Sequence, residues 1–223
     1  MAFPFATVGF DLDGTLVDTA GDLAAAVNHA LTGMDRAPLP LERLRPMIGG
    51  GGRHMLAQAM AATGGADEAT LDAGYLRLLT YYKANVAVQS RAFPCLLEAL
   101  DQLSARGVRL AVVTNKQEAL AKLLLRALDL LDRFATVIGG DTLGPGRGKP
   151  KPDLLLAMVE RCGGPAAFVG DSAYDVQAAR AAGLPVVACS FGYGEEPVQA
   201  LGADAVIDGF ADLLPALKGF TVT

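Results

Sequence analysis

Val8-Gly9-Phe10-Asp11-Leu12-Asp13-Gly14-Thr15-Leu16-Val17-Asp18 places two aspartates one residue apart at the end of a short apolar run, Ala6 to Phe10. A glycine and a hydroxyl residue follow at once. An apolar run closed by turn residues reads as a buried strand entering a tight turn. In an open α/β sheet the carboxyl ends of strands are where ligands bind, so this strand carries acidic groups to that rim. Alternate side chains of a strand share a face, which starts Asp11 and Asp13 on one side. The turn at Gly14 lets the second carboxylate swing around a reacting centre. One carboxylate can then attack while the other moves a proton. The same aspartates can also do no more than cap a helix beginning near Thr19. The rest of the chain decides between the two.

The chain has 223 residues, of which 52% are hydrophobic and 19% charged, enough for a substantial core and unlike a disordered segment. The net charge of −5 offers no electrostatic footprint for nucleic acid, and an acidic protein that handles an anion must concentrate positive charge locally. Cys95, Cys162 and Cys189 are scattered without CxxC spacing, which argues against a disulfide framework or a zinc site and for buried or half-buried thiols. The amino terminus lacks a basic-then-apolar leader, and no apolar run reaches membrane-spanning length. A cytoplasmic protein acting without membrane or nucleic acid is expected.

After Asp18 the pattern takes on a helical period. Leu23, Ala26, Val27, Ala30 and Leu31 make one face, a short Pro-bounded helix lies within 38–46, and further helices follow Gly49-Gly50-Gly51-Gly52 and span 68–85. No convincing strand occurs between Asp18 and Ala92. Beyond Phe93-Pro94 strands and helices alternate, with strands near 109–113, 136–138, 166–169, 185–189 and 205–207. That alternation predicts an α/β fold, a doubly wound parallel sheet with helices on both faces. The expected domains are an α/β core, 1–17 and 93–223, and an inserted all-helical unit, 18–92.

Three further groups fall at carboxyl ends of predicted strands or in the loops beside them. Thr114-Asn115 offers a hydroxyl and an amide able to hold phosphate oxygens, although such residues also cap strand ends. In Lys149-Pro150-Lys151-Pro152-Asp153 a lysine can offset the charge of an anion and a nearby carboxylate, and Lys149 and Lys151 compete for that part. Gly170-Asp171-Ser172-Ala173-Tyr174-Asp175 adds two carboxylates four residues apart, suited either to a hard cation or, for Asp175, to a helix start. The amides of Gly51 and Gly52 at a helix start, with Arg53, can meet an anion.

Taken in order, the motifs around Asp11, Thr114, Lys149 and Asp171 resemble those of the haloacid dehalogenase superfamily, and the resemblance covers nearly the whole chain. It implies a Rossmann-like core with a helical cap and hydrolysis of a phosphate ester. Asp11 would be the nucleophile, Asp13 the general acid and base, and Lys149, rather than Lys151, the charge-neutralising lysine. Mg²⁺ would be held by Asp11, Asp13 (through its carbonyl) and Asp171, with Asp175 behind them; Thr114, Asn115, Gly51, Gly52 and Arg53 would bind substrate. Asp18 to Leu31, Ile48 to Arg53 and Phe191-Gly192-Tyr193-Gly194 are similar to the bacterial phosphoglycolate phosphatase branch. That implies 2-phosphoglycolate as substrate and a monomer or weak homodimer. The alternatives are another small monoester (a sugar phosphate or nucleotide), a β-phosphoglucomutase-like phosphomutase, and a catalytically silent binding protein. Three departures stand out: Gly9 inside the first strand, Cys95 where the resemblance calls for glycine, and Gly50-Gly51 where it calls for Asn-Gly.

Overall fold

In the computed structural model residues 3–194 and 197–220 are described; 1–2, 195–196 and 221–223, with both outer ends of the expected core, lie outside them. The first strand, β1 (Thr7–Phe10), is buried along its whole length. Next come β2 (Val17–Asp18), four helices, α1 (Ala20–Thr32), α2 (Leu41–Leu44), α3 (Gly52–Ala61) and α4 (Glu68–Ala84), and β3 (Arg91–Ala92). The remaining elements alternate: α5 (Leu96–Ser104), β4 (Arg109–Val113), α6 (Glu118–Ala127), β5 (Thr136–Ile138), α7 (Asp153–Cys162), β6 (Ala166–Gly170), α8 (Ala173–Ala181), β7 (Val186–Cys189), β8 (Ala205–Ile207) and α9 (Leu213–Lys218).

Six strands form one parallel sheet in the order β5-β4-β1-β6-β7-β8, the doubly wound α/β arrangement expected from the alternation. β1 pairs with β4 on one side and β6 on the other, with Gly9 opposite both Ala111 and Phe168. The chain runs outward from β1 through β4 to β5, then returns to β6 across β1. The carboxyl end of β1 is therefore the topological switch point, where a crevice opens. Side chains alternate across the sheet: Leu110 and Val112 of β4 join one apolar cluster, and Ala111 and Val113 join the other.

Gly9 has a packing reason. A Cβ there would stand 2.2 Å from Met158 Sδ and 3.0 Å from the Phe168 ring, so the missing side chain lets α7 press onto the strand. Cys95 adopts φ 60° at the start of α5, the left-handed region that favours glycine, in keeping with the departure noted there. The thiol expectation needs one correction: Cys162 and Cys189 are buried, but Cys95 is exposed, because it sits at that turn and not in the core.

The helices of residues 20–84 form an insert joined to the sheet through β2 and β3. These strands pair antiparallel, Val17 with Ala92 and Asp18 with Arg91. At two residues each they are too short to show a period. Behind the ribbon, buried Asp22 of α1 accepts hydrogen bonds from Gln89 N (3.0 Å), Ser90 N (2.8 Å) and Ser90 Oγ (2.7 Å). The two crossings of the insert are thereby tied together. No described helix is long and apolar enough to cross a membrane.

Gly9→Ala is expected to lower the unfolding free energy by about 1–3 kcal/mol through overpacking. Combining it with Met158→Ala should cost less than the two single changes added together, measured as a double-mutant cycle in denaturant. Strict additivity would show that α7 does not depend on the glycine.

Candidate active site

Four carboxylates and two ammonium groups meet at the carboxyl ends of β1, β4 and β6. Asp11 follows β1 directly, and its backbone N–H donates to Val169 O at 2.9 Å, extending the ladder to β6. Lys149 Nζ lies 2.8 Å from Asp11 Oδ1 and 2.6 Å from Asp175 Oδ1, and all three side chains are buried. The contact with Asp11 Oδ1 is an ion pair without hydrogen-bond alignment, and Lys149 is that oxygen's partner among the described residues. Of the two competing lysines, Lys149 is the one inside; Lys151 is exposed and donates to Gly146 O.

Asp175 Oδ2 accepts from Asp171 N, Ser172 N and Ser172 Oγ, the last at 2.6 Å, closing a capping box at the start of α8. The helix-start reading and the site reading of Asp175 thus hold together, one oxygen serving each. Asp171 accepts from Thr15 Oγ1 and from Tyr193 N, each at 2.8 Å. Two glycines make its seat. A Cβ on Gly192 would lie 2.2 Å from Asp171 Cβ, and one on Gly14 (φ 85°) would lie 2.5 Å from Asp171 Oδ2.

Packing this many carboxylates out of water disfavours their charged forms. Burial, only partly offset by Lys149, lifts Asp11 to about 6. Burial and then the charges of Asp175 and Asp11 lift Asp171 to about 8. Oxygens of Asp11, Asp171 and Asp175 lie within 4.8 Å of one another. An all-oxygen set with excess negative charge suits a hard divalent cation.

Asp13 is held differently. Its Oδ1 accepts from Thr19 Oγ1 at 2.7 Å, and Lys116 Nζ reaches both oxygens at 2.7 and 2.6 Å. Lys116 was not singled out from the sequence. Its one signal was its place directly after Thr114-Asn115, and a loop lysine is usually solvated.

Asp11, Asp13, Thr114, Asn115, Gly51 and Gly52 line one cavity of about 50 Å³, whose far wall is the insert. Thr114 brings a buried hydroxyl. Both ends of the Asn115 amide are engaged: Nδ2 donates to Gly49 O (2.9 Å) and Lys149 O (3.0 Å), while Oδ1 accepts from Lys149 N (2.8 Å). Asn115 therefore fixes the lysine loop and touches the insert. Arg53 is not brought into the site. Its guanidinium sits on Glu68 (2.5 Å) and Asp72 (2.8 Å) at the outer surface of the insert, because α3 and α4 present those charges to each other there.

The chain matches the model of the haloacid dehalogenase-like hydrolases over residues 5–183. It is 42% identical over 212 residues to a phosphoglycolate phosphatase of Agrobacterium fabrum, covering 93% of this chain and 90% of that one. To a phosphoglycolate phosphatase of Caulobacter vibrioides it is 44% identical over 212 residues, covering 93% and 89%. The crystal structure of a "predicted phosphoglycolate phosphatase" from Haemophilus somnus 129PT superposes with a TM-score of 0.87 at 32% identity, covering 95% of this chain and 97% of that one.

A carboxyl whose folded pKa lies above its unfolded value stabilises below that unfolded value and loses the contribution as pH rises. For Asp171 the window runs from 3.8 to about 8. In chelating buffer the unfolding midpoint is expected to fall between pH 5 and pH 8, and Asp171→Asn should flatten much of that slope. Calorimetry resolves this, since each kcal/mol moves the midpoint of a chain of this size by about 2–4 °C. A midpoint that climbs over the interval would contradict the crowding.

Proposed function

The chain belongs to the haloacid dehalogenase-like hydrolases and is a phosphoric monoester hydrolase, and from that premise we propose that it is a Mg²⁺-dependent phosphatase converting 2-phosphoglycolate to glycolate and phosphate. The observation that carries the proposal is Asp11 at the switch point, buried and ion-paired to Lys149, lining one small cavity with Asp13. The printed activity of the relatives supports the substrate.

Asp11 attacks phosphorus, forming an aspartyl–phosphate bond as the ester P–O bond breaks. The departing oxygen takes a proton from Asp13. Asp13 then withdraws a proton from water, whose oxygen attacks the same phosphorus; phosphate leaves and Asp11 is restored. Lys149 offsets the charge on Asp11 and on the incoming phosphate. Thr114 donates its hydroxyl to a phosphoryl oxygen, and Asn115 keeps Lys149 in place. Mg²⁺, on Asp11, the Asp13 carbonyl and Asp171 with Asp175 behind them, would neutralise phosphoryl charge and orient the group for in-line attack. Residues 18–92 serve as a cap over the core of 1–17 and 93–223, excluding water and presenting Gly51 and Gly52 to the leaving group. The substrate is a small molecule, and one chain supplies every group the chemistry uses.

Phosphate release is measured with Mg²⁺ on 2-phosphoglycolate, hexose phosphates, nucleotides and pyrophosphate. The expected result is the highest kcat/KM on 2-phosphoglycolate, loss of activity in EDTA, and a fall of about 10³-fold or more in Asp11→Asn. Turnover that survives Asp11→Asn would overturn the mechanism. Asp11-dependent turnover that favours a hexose phosphate would overturn the substrate.

A further inference from the structure

Lys116 has no part in the chemistry set out above, yet its ammonium, 7% exposed, straddles the Asp13 carboxylate. That pairing occupies the oxygens on which Asp13 must carry a proton for the leaving group. A buried ammonium needs an anion at all times, either Asp13 or a group that replaces it.

On its other side Lys116 faces the insert. Its Nζ lies 4.9 Å from the ring centre of Tyr82, on α4. Tyr82 is 1% exposed and lines the same cavity, and its hydroxyl has no hydrogen-bond partner among the described residues. Burial pushes that phenol up to about 12, so it remains a donor. An unpaired buried hydroxyl is costly and calls for a ligand. α3 opens on the cavity at Gly51 and Gly52 with no side-chain cap on its free amides. Leu23, Met55, Leu78 and Leu120 make apolar wall around these groups.

We propose that Lys116 and Tyr82, with the first amides of α3, form the specificity subsite for a carboxylate on the leaving group, and that this carboxylate draws Lys116 away from Asp13. The inference rests on the phosphatase reading and names the groups that select its substrate. A monoester with a neutral leaving group leaves Lys116 on Asp13, so discrimination enters kcat as well as KM. The carboxylate partner is thus a core lysine and a tyrosine of the insert, in place of Arg53, which its acidic neighbours hold elsewhere.

The test compares 2-phosphoglycolate with ethyl phosphate, which lacks the carboxylate, in the wild type, Tyr82→Phe and Lys116→Met, all with Mg²⁺. The ratio of the two kcat/KM values is expected to fall about tenfold in Tyr82→Phe and about 100-fold in Lys116→Met, the scale of hydrogen bonds to charged groups. In Lys116→Met kcat on ethyl phosphate should rise, since no ammonium then holds Asp13. In parallel, inhibition of ethyl phosphate hydrolysis by glycolate should weaken about tenfold in each variant. Tyr82→Phe removes one oxygen and keeps the test open if Lys116→Met does not fold. A ratio unchanged within about twofold, with both substrates slowed alike, overturns the subsite and leaves the substrate standing. A wild type inactive on 2-phosphoglycolate, but inhibited by glycolate through Tyr82 and Lys116, retains the subsite and removes the substrate.

Discussion

The architecture of this molecule answers to one electrostatic problem. Asp11, Asp13, Asp171 and Asp175 are gathered within one buried pocket against only two lysines. Like charges this close, and this far from water, oppose folding unless each oxygen is answered. The fold supplies the answers from distant parts of the chain: Thr15 and Tyr193 for Asp171, Thr19 and Lys116 for Asp13, Lys149 and the start of α8 for Asp175. Asp11 Oδ1 is answered by charge alone, through Lys149 Nζ at 2.8 Å, without hydrogen-bond alignment.

The parallel sheet was legible because its strands are short apolar runs that give way at once to a polar residue, as at Phe10-Asp11, Val113-Thr114 and Gly170-Asp171. Burial on both faces makes such strands stand out from amphipathic helices. The order of strands was not legible residue by residue. It follows from handedness and crossover rules applied to the alternation. The ribbon of β2 and β3 left no trace in the sequence, since two residues cannot display a period. Its register is set instead by Asp22 and by the Tyr193 hydroxyl, which donates to Asp18 and accepts from Thr19 N, at 2.6 Å each.

Within the site, groups with a fixed backbone address were readable: Asp11, Asp13 and Asp171 sit at or just past strand ends, and Asp175 lies in the first turn of the helix that follows. Long side chains were harder, because their reach outruns their position. Lys149 and Lys151 are neighbours in sequence, but one is enclosed and the other exposed. Lys116 and Arg53 show the same limit from opposite sides. Lys116 looks like a solvated loop residue, and its stem carries it into the pocket. Arg53 looks like an anion receptor, yet Glu68 and Asp72, fifteen and nineteen residues on, claim it first. No local pattern encodes such pairings, which arise only when α3 and α4 are laid side by side.

Asn115 is also a mechanical part of the molecule. One amide nitrogen serves the carbonyls of both Lys149 and Gly49, and the amide oxygen holds the Lys149 N–H. Two of the three bonds stay within the core and one crosses to the insert. The shape of the lysine loop is therefore held from within the core, and only the Gly49 contact depends on where the insert sits. The Asn115 amide acts as a bracket fixed to the frame, with one free arm for the part that rests on it.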